Sequence, residues 1–202
     1  MQPIPEKCTE LTVHRNENES AAPKLSPGLV TSDEVLLRTI IDPDHLGPNG
    51  SLSVAAIALQ DIRERGWSVN RKKFTSLRRL RHLHSEIEAK KATIKRLYVL
   101  PVSASYFRSP GRTTGKQDFV VTDDASWKNP AHASVLLASP CSPGQARLFR
   151  NDLLQNLPKY VDVETVFGPQ DKLGHCLGRA RSFGACVSWH LRFFVSFIAK
   201  LF

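Results

Sequence analysis

The sequence predicts a small α+β domain, and three observations predict it. Short apolar runs rich in β-branched residues are interspersed with segments of helical periodicity. No internal repeat is present. The apolar share, 41% of 202 residues, suffices for a core that needs no disulfide staples. The expected layout is a flexible leader over residues 1–30, a single core domain over 31–168 with a mixed or antiparallel sheet and two to three helices, and a Phe-rich tail over 169–202.

The leader is rich in Pro, Glu, Asn, Ser and Lys and lacks sustained periodicity, so order is expected to begin near Asp33. Val35 to Ile41 (VLLRTII) reads as a strand, with a short helix capped by Ser32 as the alternative. Asp42 to Gly50 (DPDHLGPNG) is dense in turn formers. Leu52 to Ile62 fits helix or strand; Gly66 ends it, and Trp67 to Arg71 (WSVNR) reads as a short strand. Leu77, Leu80, His84, Ile87, Lys91, Ile94 and Tyr98 then recur at alternating spacings of three and four, which predicts one buried helical stripe with a basic back. Thr75 or Ser76 can cap its start.

Tyr98 to Ser103 (YVLPVS) reads as a strand near a sheet edge, because Pro101 lacks the N–H that a central strand needs. Ser109 to Gln117 is a loop. Its GRTTGK stretch (Gly111 to Lys116) lacks the spacing of a phosphate-binding loop. Asp118 to Thr122 and His132 to Ala138 are strand-like and can pair as a hairpin. Ser142, Pro143 and Gln145 supply an N-cap, an N1 proline and a capping-box glutamine, so a helix starts there; Ala146, Phe149, Leu153 and Leu157 form its buried face. Val161 to Phe167 (VDVETVF) reads as a half-buried strand. The tail carries five of the ten Phe and fits an amphipathic helix, either docked or lying on a membrane surface.

Charge is segregated. Ile62 to Arg96 carries twelve Lys and Arg against three Glu, a surplus of nine that equals the net charge of the chain; the other residues hold sixteen of each sign. Such a surplus attracts anions. The four cysteines, Cys8, Cys141, Cys176 and Cys186, form no CxxC pair and no secreted disulfide framework. No 18-residue uncharged apolar run and no basic-then-apolar N-terminus is present, so the expected setting is cytoplasmic.

Several pieces resemble a group of short bacterial proteins of unknown function: Leu36 to Ile40, Pro43 with His45, Gly50 to Ala56 (GSLSVAA), Ser68 to Arg71 (SVNR) and Asn129 to Val135 (NPAHASV). The resemblance implies a folded core and transfers no catalytic role. The basic helix and the Phe-rich tail depart from it.

The reading that follows is a non-catalytic binding protein. A basic helix over about 71–96 contacts nucleic acid or another polyanion through Arg71, Lys72, Lys73, Arg78, Arg79 and Arg81. An acidic protein partner or an anionic membrane surface fits the same charge. No RNP-type aromatic signature accompanies it, so base-specific readout is not expected. The alternative is a phosphodiester-acting or nucleotide-modifying enzyme in which His45 and His132 perform acid–base chemistry beside Asp42 or Asp44 and Arg71 holds the phosphate. In the simpler reading His45 bonds its own turn and His132 caps a strand edge. A third class is a membrane-peripheral or self-associating protein that uses the tail. No metal or cofactor is expected: His82 and His84 lie two apart on a helix and point about 200° apart, and His175, Cys176, Cys186 and His190 fit no zinc spacing.

Overall fold

The computed structural model describes residues 25–110 and 115–168. The expected leader up to residue 24, most of the GRTTGK stretch, the tail helix and the tail Cys/His set lie outside the described residues. The chain divides into two units, Met1–Val166 and Phe167–Phe202. The first unit holds a five-stranded sheet built from β1 (Val35–Asp42), β2 (Trp67–Arg71), β3 (Arg96–Ser103), β4 (Phe119–Asp123) and β5 (His132–Leu137). Their order is β3-β1-β2-β5-β4, and every neighbouring pair is antiparallel. The helices are α1 (Leu77–Glu88), α2 (Ala104–Arg108), α3 (Pro143–Asn156) and α4 (Val163–Val166). The fold is α+β with an antiparallel sheet.

Strand alternation divides the apolar residues between two faces. On one face Leu36, Ile40, Trp67, Val69, Leu100, Val102, Phe119, Val121, Ala133, Val135 and Leu137 join Ala104 and Phe107 of α2 and Ala146 and Leu153 of α3 in the principal core. Trp67 is fully buried; its indole N–H donates to the Ala56 carbonyl at 2.9 Å, and its ring meets Phe107 edge-on at 6.1 Å. An aromatic pair of that geometry contributes about 0.5–1.5 kcal/mol beyond its buried area. On the other face α1 covers β1: Leu80 and His84 are buried, and His84 Nε2 lies 3.2 Å from Thr39 Oγ1.

The capping box at Ser142 and Gln145 forms as the sequence predicts, with Pro143 opening α3. The β4–β5 hairpin forms, and β3 lies at a sheet edge with Pro101 on it. Val161 bridges that edge, exchanging both backbone hydrogen bonds with Val99 at 2.8 and 2.9 Å.

Four expectations are corrected. The stripe from Leu77 to Ile87 is helical, but α1 stops at Glu88, because Arg96 to Ser103 pairs residue for residue with β1 and an eight-residue ladder outweighs weak helical periodicity. The ambiguous Leu52 to Ile62 stretch is neither strand nor long helix: it holds a 3₁₀ turn at Val54–Ala56, and a single π turn follows at Asp61–Arg65. The predicted strand from Val161 to Phe167 gives one bridge and then the short α4. Order also begins earlier than Asp33, since Val30 is buried and the chain from Ser26 onward is tied to the core.

Gly66, at φ +88°, immediately precedes β2, where a Cβ would lie 2.5 Å from the Ser134 side chain. Gly66→Ala therefore meets both strain and a clash. It is expected to lower unfolding free energy by on the order of 1–3 kcal/mol in urea titrations; an unchanged midpoint would contradict the close approach.

Candidate functional site

Arg71 ends β2 and, two residues on from Val69, faces the principal core rather than solvent. It is 1% exposed. Its Nε donates to Glu34 Oε2 at 2.7 Å and Nη2 to Glu34 Oε1 at 2.6 Å; Nη1 donates to the Gly28 carbonyl at 2.5 Å and Nη2 to that of Leu29 at 3.0 Å. Asp123 Oδ1 lies 3.7 Å from Nη1, and Asp123 also accepts from the Ser26 hydroxyl. Burial pushes the Glu34 carboxyl upward in pKa, but the Arg71 and Thr31 hydrogen bonds outweigh it and hold the group below the ordinary carboxylate value. Arg71 is thus neutralised within its own chain. It neither contacts a polyanion nor holds a substrate phosphate, and both expectations are withdrawn.

The expected convergence of His45, His132 and Arg71 also fails. His45 lies in the turn after β1, where its Nδ1 accepts from the Ile41 amide at 3.2 Å. Burial, helped by the nearby Arg38 and Lys91 and opposed by Asp44, lowers its pKa to about 4, so the ring is neutral at pH 7. The carboxylate of Asp44 pairs with Lys91. His132 starts β5 opposite Asn70 of β2, and Asn70 is itself opposite Leu37 of β1. From Leu37 to the end of β1 at Asp42 is roughly 16 Å along the strand, and β5 lies two strands, roughly 10 Å, across the sheet. His45 and His132 therefore occupy separate places. Arg71, next to Asn70, projects from the opposite face.

His132 instead joins neighbours that sequence spacing does not reveal. Its Nε2 lies 2.7 Å from Ser68 Oγ; its Nδ1 lies 3.0 Å from the Asp124 carbonyl oxygen and 3.7 Å from Asp124 Oδ2. Ser134 donates to that same Oδ2 at 2.7 Å. The side-chain Nδ2 of Asn129 donates to Asn70 Oδ1 at 2.7 Å, which ties the β4–β5 loop to β2. An open cavity of about 600 Å³ is lined by His132 and Asp124 together with Leu25, Ala125 and Trp127.

The remaining basic residues divide. Arg81 pairs with Glu164 at 2.8 Å, both half-exposed, and Arg96 of β3 pairs with Asp162. Arg79 donates to the Lys128 carbonyl. Lys73 is exposed with its ammonium 5.7 Å from the Phe74 ring, and Arg78 is exposed on α1. Lys72 lies beside Lys73 in a single 3₁₀ turn before α1, so the basic residues occupy a strand end, a turn and a short helix rather than one helix over 71–96. Among the described residues no cluster of three His, Cys, Asp or Glu is placed to hold a metal ion, and no helix is long and apolar enough to cross a membrane.

Ser68, Asp124 and Trp127 escape sequence reasoning. The signal available was partial: alternation puts Ser68 and Asn70 on one face of β2, and Trp127 is a large aromatic in an otherwise polar loop. Only the β2–β5 register brings His132 to Ser68. No family model matches this chain, and no curated protein or solved structure matches it significantly.

Arg71→Ala leaves Glu34 and Asp123 buried without their cation, and is expected to cost about 3–5 kcal/mol of stability by chemical denaturation. Arg71→Lys should rescue little, because one ammonium cannot reproduce the two-pronged contact. The depressed pKa values set a pH dependence. His45 favours folding while neutral, so its contribution is full above pH 6.5 and is lost as the pH falls toward 4. The Glu34 contribution is present above the ordinary carboxylate value and is lost as the pH falls through its lower folded value. Unfolding midpoints should thus decline in two stages on acidification, and His45→Asn should flatten the first.

Proposed function

We propose that this chain binds single-stranded nucleic acid through the basic surface at the start of α1 and the adjoining β4–β5 loop. One observation carries the reading: Arg79 of α1 donates to the carbonyl of Lys128, which joins the cationic helix to the loop bearing Trp127, a ring left 75% exposed. Cations that track phosphates and an aromatic face on which a base stacks are the two parts of sequence-tolerant single-strand recognition. Lys72, Lys73, Arg78, Arg79 and Arg81 supply the charge. The Arg81–Glu164 pair does not remove Arg81 from this set, since an exposed ion pair contributes only about 0–1 kcal/mol and exchanges partners readily.

The scattered cysteines support a cytoplasmic, reducing setting.

Fluorescence anisotropy with a labelled single-stranded oligonucleotide at 50 and 200 mM salt tests the reading. Binding should weaken with salt by about 0.7 in logarithmic slope for each phosphate neutralised. Combined Lys73→Ala, Arg78→Ala and Arg79→Ala replacement should reduce that slope, and Trp127→Ala should cost about 1–3 kcal/mol at either salt. Absence of binding at 50 mM, or binding indifferent to both changes, would sink the idea.

A further inference from the structure

The contacts of His132 describe more than a cross-strand polar pair. A carbonyl oxygen only accepts hydrogen bonds, so the 3.0 Å contact with the Asp124 carbonyl places the proton of the neutral imidazole on Nδ1. The Nε2 lone pair then faces Ser68, whose hydroxyl donates to it at 2.7 Å. The Asp124 carboxylate lies 3.7 Å from Nδ1 and is held by Ser134, so it stands behind the ring. Ser68 is solvent-exposed on β2. A hydroxyl bonded to a ring nitrogen that can take its proton, with the ring oriented from behind by a third group, is the arrangement that activates a serine nucleophile.

We propose that Ser68 and His132 form a nucleophilic serine site acting on esters with a small apolar acyl group, and that Asp124 is its positioning residue. Ser68 Oγ attacks the ester carbonyl carbon while its proton passes to His132 Nε2. The carbon–oxygen bond to the alcohol breaks as His132 returns that proton to the departing oxygen. Water, deprotonated by His132, then attacks the acyl carbon; the acid leaves and the Ser68 hydroxyl is restored. No other reactant is required. The acyl class follows from the open cavity of about 600 Å³ beside the pair: His132 forms part of its wall and Ser68 does not, and Leu25, Ala125 and Trp127 give it apolar surface among the polar Asp124, Ser126 and Asn129. This activity goes beyond nucleic-acid binding and does not depend on it.

The full chain is incubated with a biotinylated fluorophosphonate, which forms an Oγ–phosphorus bond as fluoride leaves, and the labelled residue is located by mass spectrometry. Ser68 should be labelled, and His132→Gln should slow the labelling by about 10²–10⁴-fold. Asp124→Asn removes the carboxylate behind the ring, so kcat for p-nitrophenyl hexanoate should fall by about tenfold with KM unchanged and Asp124→Glu should restore part of it, a pattern that simple loosening of the loop does not produce. Hydrolysis of p-nitrophenyl hexanoate should disappear in Ser68→Ala. Labelling confined to other residues, labelling undiminished in His132→Gln, or ester hydrolysis retained in Ser68→Ala would overturn the proposal. Ser68→Ala alters only an exposed hydroxyl, and the wild-type labelling site gives the answer even if a variant misfolds.

Discussion

The contact between Arg71 and Glu34 is the constraint on which the arrangement rests. It ties the residue before β1 to the last residue of β2, draws the Gly28 and Leu29 carbonyls inward, and sets Asp123 at the end of β4 beside the same guanidinium. A buried ion pair is a poor source of net stability, because desolvating both charges offsets most of their attraction. Its effect here is positional. Once Arg71 faces the principal core, alternation obliges Asn70 to face the other side of the sheet and Ser68 with it, toward His132. A one-residue slip of β2 would turn the serine into the core and expose the arginine.

The two sides of the sheet consequently do different work. The side packed against α2 and α3 holds Trp67, Phe107 and Phe119 in edge-on aromatic contacts, and this is where most of the apolar burial lies. The other side is shared between α1, over β1, and the β4–β5 loop, which reaches back to Asn70 through Asn129. Ser68 remains exposed on that side, and the imidazole beside it is only partly buried. The Arg79 contact with Lys128 brings the charged helix to the rim of the same loop. Anion-attracting side chains and a polar, hydrogen-bonded cluster thus adjoin without sharing residues.

Much of the scaffold was legible in the sequence because its signals are local. The Ser142, Pro143 and Gln145 cap, the break after Asn156 at Pro158, the edge assignment from Pro101 and the β4–β5 hairpin all depend on residues within a few positions of one another. The site was less legible. Sequence counting treated Arg71 as one more surface cation, since its partner Glu34 lies 37 positions away and nothing local marks the pairing. His45 and His132 stood out by residue type, but type does not give register, and register assigns one to a turn lock and the other to Ser68. The overlong helix had the same cause: periodicity continued past Glu88, and a long-range ladder with β1 decided the outcome.

The bridge from Val161 to Val99 bears on how this molecule behaves at high concentration. An eight-residue border strand ordinarily offers a row of vacant amide and carbonyl groups to any extended peptide that drifts past. Along this border the two polar groups of Val99 are already engaged, and two positions farther on the ring of Pro101 supplies no amide hydrogen. The rim is thereby blunted against strand-by-strand accretion, so crowding should not turn β3 into a template for fibrillar stacking.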